Sequence, residues 1–397
     1  MTLEPVLILD ANERSALAAT RSLGRRGVPV VAADETATTL AGASRHCRGT
    51  FVYPSPYRTP AAFLEALRTE AAARGIRVIL PMTEVTTHLL VRHRAELSGL
   101  AIPSGTVRAL EALTDKRSVH ALAKQLDIPV PETRLVECPD AAGMATAGLQ
   151  FPVVVKPYRS RIWSQGRWIR AGVRYASSLD ELQRLTQALE GFSRHPFLVQ
   201  EYVEGHGAGV FALYDQGRPL TFFAHKRLRE RPPSGGVSVL SESVELDPHL
   251  RELTRRILDH VGWHGAAMVE FKVRRDGRPY LMEINPRFWG SLQLAIDAGV
   301  DFPWLAYQLA AGLTPDSVEG YRIGVRNRWL LGDLDHVYLT WRESRRMTAT
   351  CRAITGFLTA FGSGTHREVD RWDDFRPFLI ELKRYIAGVA AGHREAS

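Results

Sequence analysis

The first eighty residues alternate apolar runs of strand length with segments of helical periodicity, and this alternation restricts the fold most. The run Val6-Leu7-Ile8-Leu9 is followed by apolar residues at helical spacing as far as Gly27, and a second apolar run then begins at Val28. A second helical segment at residues 63–73 precedes a strand at 78–81. Such alternation predicts a parallel, doubly wound (Rossmann-like) sheet. No GxGxxG follows the first strand, so we expect no dinucleotide site there.

The pattern changes near residue 115. A helix is predicted from the Thr114-Asp115-Lys116 segment to Leu126, and another at 248–261. Strands are predicted at 151–156, 197–200, 209–213, 220–225, 266–273 and 278–284. This middle part is therefore expected to be α+β, with helices on a mostly antiparallel sheet, whereas the residues after 316 are mostly helical in pattern. We predict four regions, at residues 1–113, 114–196, 197–315 and 316–397.

The composition is that of an ordinary globular chain. Of its 397 residues, 45% are hydrophobic and 24% are charged, and no run approaches the roughly 20 apolar residues that span a bilayer. The first apolar run lacks a basic flank, so it is not expected to be a signal peptide. The three cysteines form no CxxC pair, which favours a cytoplasmic location. The net charge of +8 comes from scattered residues with no RNA-recognition signature, so nucleic-acid binding is not expected. An Arg-rich composition typical of GC-rich genomes explains the charge best, and polyanionic substrates such as nucleotides are the alternative.

One hairpin concentrates the residues suited to a metal. Glu283 and Asn285 are two apart on a predicted strand, so both side chains face the same way, and Arg287 is the next such position. A short turn joins this strand to the one that carries Glu270, which the hairpin brings beside Glu283. Carboxylate and amide oxygens suit a hard divalent cation, and the Arg287 guanidinium offers a fork for phosphate or carboxylate. Two solvent-facing strand carboxylates with a structural arginine are the plainer alternative.

Two lysines are candidates for binding phosphate. Lys156 ends the apolar run Val153-Val154-Val155 and precedes Pro157, so it is expected over the sheet. Lys116 lies in the first turn of a predicted helix, where backbone N–H groups also favour an anion. Each lysine taken alone is more often a solvated surface charge.

Two further candidate binding segments lie at the ends of predicted strands. Gln200-Glu201-Tyr202-Val203-Glu204-Gly205 presents backbone groups complementary to an adenine edge, and the Glu201 carboxylate can accept from an exocyclic amine. The basic segment His225-Lys226-Arg227 runs into Pro232-Pro233-Ser234-Gly235-Gly236, a turn that can build an anion-binding nest. A charged hairpin loop is the alternative for this second segment.

In this order, the segments resemble the ATP-grasp superfamily over roughly residues 1 to 315. The match rests on Lys116, Val154-Val155-Lys156-Pro157, the Gln200 to Gly205 segment, Glu270, and Glu283-Ile284-Asn285-Pro286-Arg287. In the order and residues of these motifs, the sequence most resembles the carboxylate-amine ligases and the carbamoyl-phosphate-synthase-like branch. It shares with that branch segments like Pro233-Ser234-Gly235-Gly236 and Phe288-Trp289-Gly290-Ser291-Leu292.

The resemblance implies an ATP-grasp fold behind a Rossmann-like domain, followed by a helical extension, and it implies roles for individual residues. Lys116 and Lys156 would contact ATP phosphates, and Glu201, Tyr202, Val203 and Glu204 would hold the adenosine. Magnesium, as one or two ions and with Mn²⁺ as a substitute, would bind Glu270, Glu283 and Asn285. The catalytic cations would be Arg287, Lys226 and Arg227.

The family's glycine-rich lid has an atypical counterpart here. Residues 158–172 contain only Gly166 and Gly172 but four arginines, namely Arg159, Arg161, Arg167 and Arg170. Their lack of periodicity predicts an irregular, mobile basic loop.

The implied reaction is ATP-dependent ligation, in which a carboxylate becomes an acyl phosphate that an amine attacks. The predicted partners are therefore a small carboxylate and an amine, without a membrane, and a homodimer stays open. Phosphorylation of bicarbonate or carbamate, transfer to a thiol, a kinase reaction and a non-catalytic ATP-binding regulator are the alternatives.

Overall fold

The structure is a computed structural model that describes residues 3–157, 161–164, 167–170, 172–233, 235–344, 346–362 and 364–390. Its first domain contains β1 (Val6–Ile8), α1 (Arg14–Arg25), β2 (Val30–Asp34), β3 (Gly49–Val52), α2 (Pro60–Arg74), β4 (Val78–Leu80), α3 (Glu84–Arg92) and α4 (Val107–Thr114). The four strands form one sheet in the order β3-β2-β1-β4, and every pair is parallel. The predicted parallel N-terminal sheet is confirmed, and β3 is a strand that the apolar pattern had not predicted.

A second, four-stranded sheet follows. Its region contains α5 (Lys116–Gln125), β5 (Thr133–Val136), a 3₁₀ turn (Pro139–Ala141), α6 (Ala142–Ala145), β6 (Val153–Pro157), β7 (Arg161–Ser164), β8 (Arg167–Arg170), β9 (Arg174–Ala176), α7 (Leu179–Ala188), α8 (Glu190–Ser193) and β10 (Phe197–Glu201). The sheet runs β5-β10-β6-β9 and is antiparallel throughout. One face, with Val153, Val155, Phe197 and Val199, packs on α6 and α7 in a single core. The opposite face, which carries Lys156, is therefore left for the site.

The expectation of an irregular basic loop after Lys156 is wrong for the part of it that the structure describes. β7 and β8 pair in antiparallel register, from Arg161 opposite Arg170 to Ser164 opposite Arg167. The buried residues Ile162 and Ile169 lie opposite one another in this hairpin and give it an apolar side that basic composition had obscured. Arg159 and Gly166, and the side chains of the other three arginines, lie outside the described residues.

The third and largest sheet has seven strands. Its region contains β11 (His206–Asp215), β12 (Arg218–Arg231), β13 (Val237–Ser243), α9 (Pro248–His260), β14 (Gly265–Val273), β15 (Pro279–Asn285), α10 (Leu292–Ala298), α11 (Phe302–Ala310), β16 (Arg326–Arg328), α12 (Leu330–Ser344), α13 (Met347–Thr359), β17 (Thr365–Arg367) and α14 (Arg376–Ala390). The order is β15-β14-β11-β12-β13-β16-β17, and only β16 and β17 are parallel. The predicted antiparallel middle region is confirmed, and the whole is the mixed α/β arrangement expected of the ATP-grasp fold.

The residues after 316 do more than add helices. β16 pairs with β13 and extends the large sheet, and buried ion pairs connect this C-terminal part to α1 of the first domain. In one of them, the Arg21 Nε donates to Asp374 Oδ2 at 2.8 Å with both side chains almost fully buried. The C-terminal part therefore holds the first domain against the large sheet.

A single core also spans the first domain and the large sheet. It contains Val6 and Ile8 of β1, Phe211 and Phe223 of the large sheet, and Phe302 of α11, all fully buried. Because this core is continuous, the two domains present a fixed junction, which is where the site lies. Within the described residues, no helix is both long enough and apolar enough to cross a membrane.

Candidate active site

The β14–β15 hairpin brings the predicted metal ligands together. Glu270 lies directly opposite Glu283, and Met268 lies opposite Asn285. Paired residues of antiparallel strands share a face, so Glu270, Glu283 and Asn285 all face the same side of the sheet. Arg287 lies just past the end of β15, where its guanidinium donates to the Phe288 carbonyl at 2.8 Å and to Asn285 Oδ1 at 3.1 Å. The sequence-based grouping of these four residues is reproduced in space.

Arg227 reaches the same face from two strands away. Its Nη2 lies 2.7 Å from Glu270 Oε1, although β11 separates the two strands. The residue of β11 opposite Glu270 is Gly209, which has no side chain between Glu270 and Arg227. Burial raises the pKa of Glu270, the Arg227 guanidinium opposes that shift, and the neighbouring Glu283 adds to it. The charge on Glu270 therefore depends on a nearby cation.

Lys226 is not brought to this face. It is adjacent to Arg227 on β12, so it points to the other side of the sheet, where its Nζ lies 2.7 Å from Glu242 Oε1. Arg326 from β16 also binds Glu242. Of the two basic residues predicted from this strand, only Arg227 lies beside the hairpin carboxylates.

His225 supports the loop that carries Arg287. Its Nε2 lies 2.9 Å from Ser291 Oγ, and its ring stacks on Phe211 with centroids 4.6 Å apart. Burial lowers the pKa of His225 to about 3, so the imidazole is neutral at ordinary pH. His225 therefore acts as a neutral hydrogen-bonding support beneath the site.

Lys156 lines a cleft of about 480 Å³ between the second sheet and the β14–β15 hairpin. We call it the lysine cleft, and its lining includes Lys156, Gln200, His120, Lys116 and Glu283. Lys156 is 9% exposed. Burial lowers the pKa of Lys156 to about 8, Glu283 opposes that shift, and Lys116 adds to it.

A second cleft, of about 350 Å³, adjoins the first and is also bordered by Glu283. We call it the arginine cleft. Its polar lining consists of Arg287, Asn285, Glu283, Lys116, Thr114 and three residues of α3, namely Glu84, Thr87 and His88. Since Glu283 and Lys116 border both clefts, they form a wall that the two clefts share.

Lys116 is the first residue of α5, and the start of this helix lies at the wall. The Asp115 carboxylate caps α5 by accepting from the backbone N–H groups of Arg117, at 2.9 Å, and Ser118, at 3.1 Å. Lys116 is thus in the first helical turn, as predicted, and a helix N-terminus favours an anion beside it.

The predicted adenine segment lies at the end of β10. Gln200 pairs with Val154 on the face of Lys156, whereas Glu201 pairs with Val153 on the opposite face, where its Oε2 accepts from the Glu132 N–H at 3.3 Å. Tyr202 and Glu204 are exposed, and Glu204 Oε1 lies 3.0 Å from the Arg275 guanidinium. Val203 is buried. The side chains of Glu201 and Glu204 therefore do not line the lysine cleft, and a role for them in holding adenosine stays a prediction.

The predicted adenine segment ends in Gly205 because there is no room for a side chain at that position. A Cβ at this position would lie 2.3 Å from the Val273 carbonyl oxygen of β14. Lys272 also donates to the Gly205 carbonyl at 3.1 Å. The close approach ties the end of β10 to the strand that carries Glu270.

Sequence reasoning missed several lining residues. Gln200 was seen only as part of a motif, although its buried Oε1 has no hydrogen-bond partner among the described residues. Glu84, Thr87 and His88 had no sequence signal, because α3 belongs to another domain and reaches the site only through domain packing.

The donor set suits magnesium held jointly by protein and nucleotide. Within the described residues, no three His, Cys, Asp or Glu side chains are grouped to hold a metal. Two carboxylates and an amide oxygen are what remains, and Mg²⁺ commonly binds one or two carboxylates together with substrate phosphates. Glu270 and Glu283, with Asn285 and the adjacent lysines, match that mode of binding.

Comparisons with known proteins agree on the fold. A family model described as ATP-grasp in the biosynthetic pathway with Ter operon matches residues 193–331. The carbamoyl phosphate synthase large chain of Methanospirillum hungatei is 23% identical over 93% of this chain. The chain spans only 36% of the length of that relative.

Two solved structures extend the similarity to three dimensions. The biotin carboxylase domain of Hydrogenobacter thermophilus 2-oxoglutarate carboxylase, a dimer in complex with MgADP, ADP and bicarbonate, is 19% identical with a TM-score of 0.65, covering 82% of this chain and 74% of that one. The L-amino acid ligase of Bacillus licheniformis is 16% identical with a TM-score of 0.59, covering 80% and 76%. At these identities the likeness shows a common fold.

Proposed function

Since the chain belongs to the ATP-grasp superfamily, we propose that it is an ADP-forming ligase that activates a carboxylate with ATP and joins it to an amine. The observation that carries the proposal is the shared wall: Glu283 and Lys116 border a cleft with a buried lysine on one side and a cleft with an arginine on the other. A phosphoryl donor in the lysine cleft and an acceptor in the arginine cleft would meet at this wall.

In the proposed complex, the lysine cleft holds ATP. Lys156 and Lys116 offset the charge of the phosphates, and Gln200 lines the same cleft. Glu270, Glu283 and Asn285 hold magnesium, which when bound neutralises the charge on the β- and γ-phosphates. Because Arg227 lies against Glu270, it supplies a further positive charge beside the phosphates.

The chemistry needs positioning and charge stabilisation rather than a protein nucleophile. A carboxylate oxygen of the acid attacks the γ-phosphorus, and the bond from that phosphorus to the β–γ bridging oxygen breaks to leave ADP. The amine nitrogen of the second substrate then attacks the carbonyl carbon of the acyl phosphate. The carbon–oxygen bond to phosphate breaks, the nitrogen loses a proton, and phosphate leaves. Arg287 holds the carboxylate and then the transferred phosphoryl group with its planar fork.

Trapping with hydroxylamine tests the proposal. Hydroxylamine attacks acyl phosphates, so hydroxamate should accumulate with ATP, magnesium and the true acid, in proportion to the ADP released. ADP release without hydroxamate for every stimulating compound would favour a kinase. ATP binding without any stimulated ADP release would favour a regulator, and both outcomes would overturn the ligase proposal.

Phosphorylation of bicarbonate is a second candidate. It is favoured by the similarity to a carbamoyl phosphate synthase and to a carboxylase domain whose structure contains bicarbonate. Bicarbonate would then stimulate ADP release in the absence of any organic acid. The similarity to an L-amino acid ligase supports the organic acid instead.

A further inference from the structure

We propose that the arginine cleft binds the acid substrate as an α-amino acid, with the carboxylate facing Arg287 and the ammonium group held by Glu84. This inference rests on the proposed function and deepens it, because it names the class of acid and a residue that selects it.

The arginine cleft is lined by two positively charged and two negatively charged side chains. Lys116 and Arg287 are cationic, and Glu84 and Glu283 are carboxylates. Glu283 is assigned to magnesium, Lys116 to phosphate and Arg287 to the carboxylate of the acid, which leaves Glu84 as the one of these four charged residues without a role. A small zwitterion offers charges opposite to both Arg287 and Glu84, whereas a simple carboxylate or bicarbonate would leave Glu84 facing no cation.

Glu84 is a carboxylate without a partner in the described part of the chain. It is half-buried and makes no hydrogen bond or ion pair with any residue that the structure describes. Glu283, the other carboxylate that lines the arginine cleft, differs because it interacts electrostatically with the nearby Lys156. The place of Glu84 in the first turn of α3 gives it a modest favourable interaction with the helix dipole, but this does not replace a counter-charge in a cleft.

The helix that carries Glu84 is held rigidly. The buried Asp10 carboxylate, at the end of β1, accepts from the N–H groups of Met82, at 3.0 Å, and Thr83, at 2.9 Å, and from Thr86 Oγ1 at 2.6 Å. These bonds fix the start of α3. At the cleft, His88 Nε2 lies 3.1 Å from Thr114 Oγ1 and connects α3 to the end of α4. A recognition residue works best on such a supported element.

The arrangement also gives different roles to two nitrogen atoms, the α-ammonium nitrogen of the amino acid and the nitrogen of the amine that attacks the acyl phosphate. An ammonium group held by a carboxylate stays protonated and has no lone pair to attack a carbonyl. The nucleophile must then be the amine of a second molecule, which is consistent with ligation of an amino acid to another amine and opposes self-reaction.

The test uses the full chain with ATP, magnesium and hydroxylamine in place of the unknown amine. Each protein amino acid is paired with the carboxylic acid of the same carbon skeleton that lacks the α-amino group, such as alanine with propionate. Hydroxamate should form with one or more amino acids and not with their matched deaminated acids. Equal hydroxamate formation from both members of the reactive pairs would overturn the inference and leave the ligase proposal standing.

Variants then address Glu84 itself. Glu84→Gln should raise the KM for the amino acid roughly 10- to 100-fold while the KM for ATP stays within about twofold, since one charge-assisted hydrogen bond is lost. Glu84→Asp, which keeps the charge on a shorter arm, should show a smaller rise. Glu65→Gln, at an exposed carboxylate of α2 in the same domain, is the matched control and should leave both KM values unchanged.

An unchanged amino-acid KM in Glu84→Gln and Glu84→Asp would overturn the role of Glu84. A compound panel in which no carboxylate yields either hydroxamate or ADP would overturn the proposed function, and the inference would fall with it.

Discussion

The two clefts share a wall but are constructed differently. The lysine cleft is lined by strands of two sheets, with Lys156 and Gln200 on the second sheet and Glu283 on β15, and by residues of α4 and α5. The arginine cleft joins Arg287, just past β15, to Glu84 on α3, and these residues are far apart in the sequence. Both clefts therefore depend on packing between distant elements, but the second sheet lines only the cleft proposed for the nucleotide, whereas α3 of the first domain lines only the cleft proposed for the acid. This contrast suggests how one nucleotide site can be combined with different acceptors.

The largest effect is expected at the shared wall. Glu283→Ala should lower turnover roughly a thousandfold or more, because a metal ligand between both substrates contributes several kcal/mol to the transition state. ADP release at saturating magnesium, acid and amine measures it, with the exposed Glu319→Ala as control. Turnover near the wild-type rate in Glu283→Ala would show that Glu283 does not hold the metal.

A change in the lysine cleft should affect the nucleotide alone. Lys156→Ala should weaken ATP binding roughly 10- to 100-fold, since a buried ammonium group on a phosphate is lost. Lys156→Arg should not restore it, because a planar fork is bulkier than the ammonium it replaces. Calorimetric titration with ATP gives the affinity, and Lys124→Ala on the exposed side of α5 is the control. An unaltered ATP affinity in Lys156→Ala would show that Lys156 does not bind the ATP phosphates.

The matching change in the arginine cleft should affect the acid alone. Arg287→Lys should raise the KM for the acid about tenfold, because a point charge cannot make the two parallel hydrogen bonds of a guanidinium. The KM for ATP should change little, and the exposed Arg108→Lys on α4 should change neither value. If Arg287→Lys raised both KM values equally, the assignment of ATP to the lysine cleft and of the acid to the arginine cleft would be wrong.

The support of α3 can be weakened without touching either cleft. Asp10→Asn should lower the free energy of unfolding by about 1–3 kcal/mol. The three bonds from the start of α3 all go to Asp10 Oδ2, and Tyr53 donates to Oδ1. An amide has only one acceptor oxygen, and it is neutral, so it cannot replace both carboxylate oxygens. Chemical denaturation measures this loss. We also expect a higher KM for the acid with an unchanged KM for ATP. The same KM for the acid in the variant would mean that Glu84 does not depend on Asp10.

The smallest effect concerns pH. Because burial lowers the pKa of Lys156 to about 8, its ammonium group loses its proton as the pH rises through that value. ATP affinity should therefore fall up to about tenfold between about pH 7 and about pH 9. Lys156→Ala should lack this decline. A wild-type affinity that is flat over the same range would show that the charge of Lys156 does not contribute to ATP binding.

The sequence by itself determined the elements and the sites that lie on them. Period-two and helical patterns predicted the parallel N-terminal sheet and the antiparallel middle region, because burial of one face imposes those periods. The same reasoning placed Glu270 opposite Glu283, since strand alternation and a short turn define the partner residues. The basic hairpin β7–β8 was missed because its buried residues, Ile162 and Ile169, are too few to produce a period among arginines.

Only the tertiary structure decided which side chains meet across elements. Lys226 and Arg227 are adjacent in the sequence, yet the register of β12 directs Arg227 to Glu270 and Lys226 to Glu242. Glu84 and His88 reach the site because α3 packs beside α4 and the β14–β15 hairpin. Sequence patterns report which face of an element is buried, but contacts between distant elements depend on the packing of a core that draws on the whole chain.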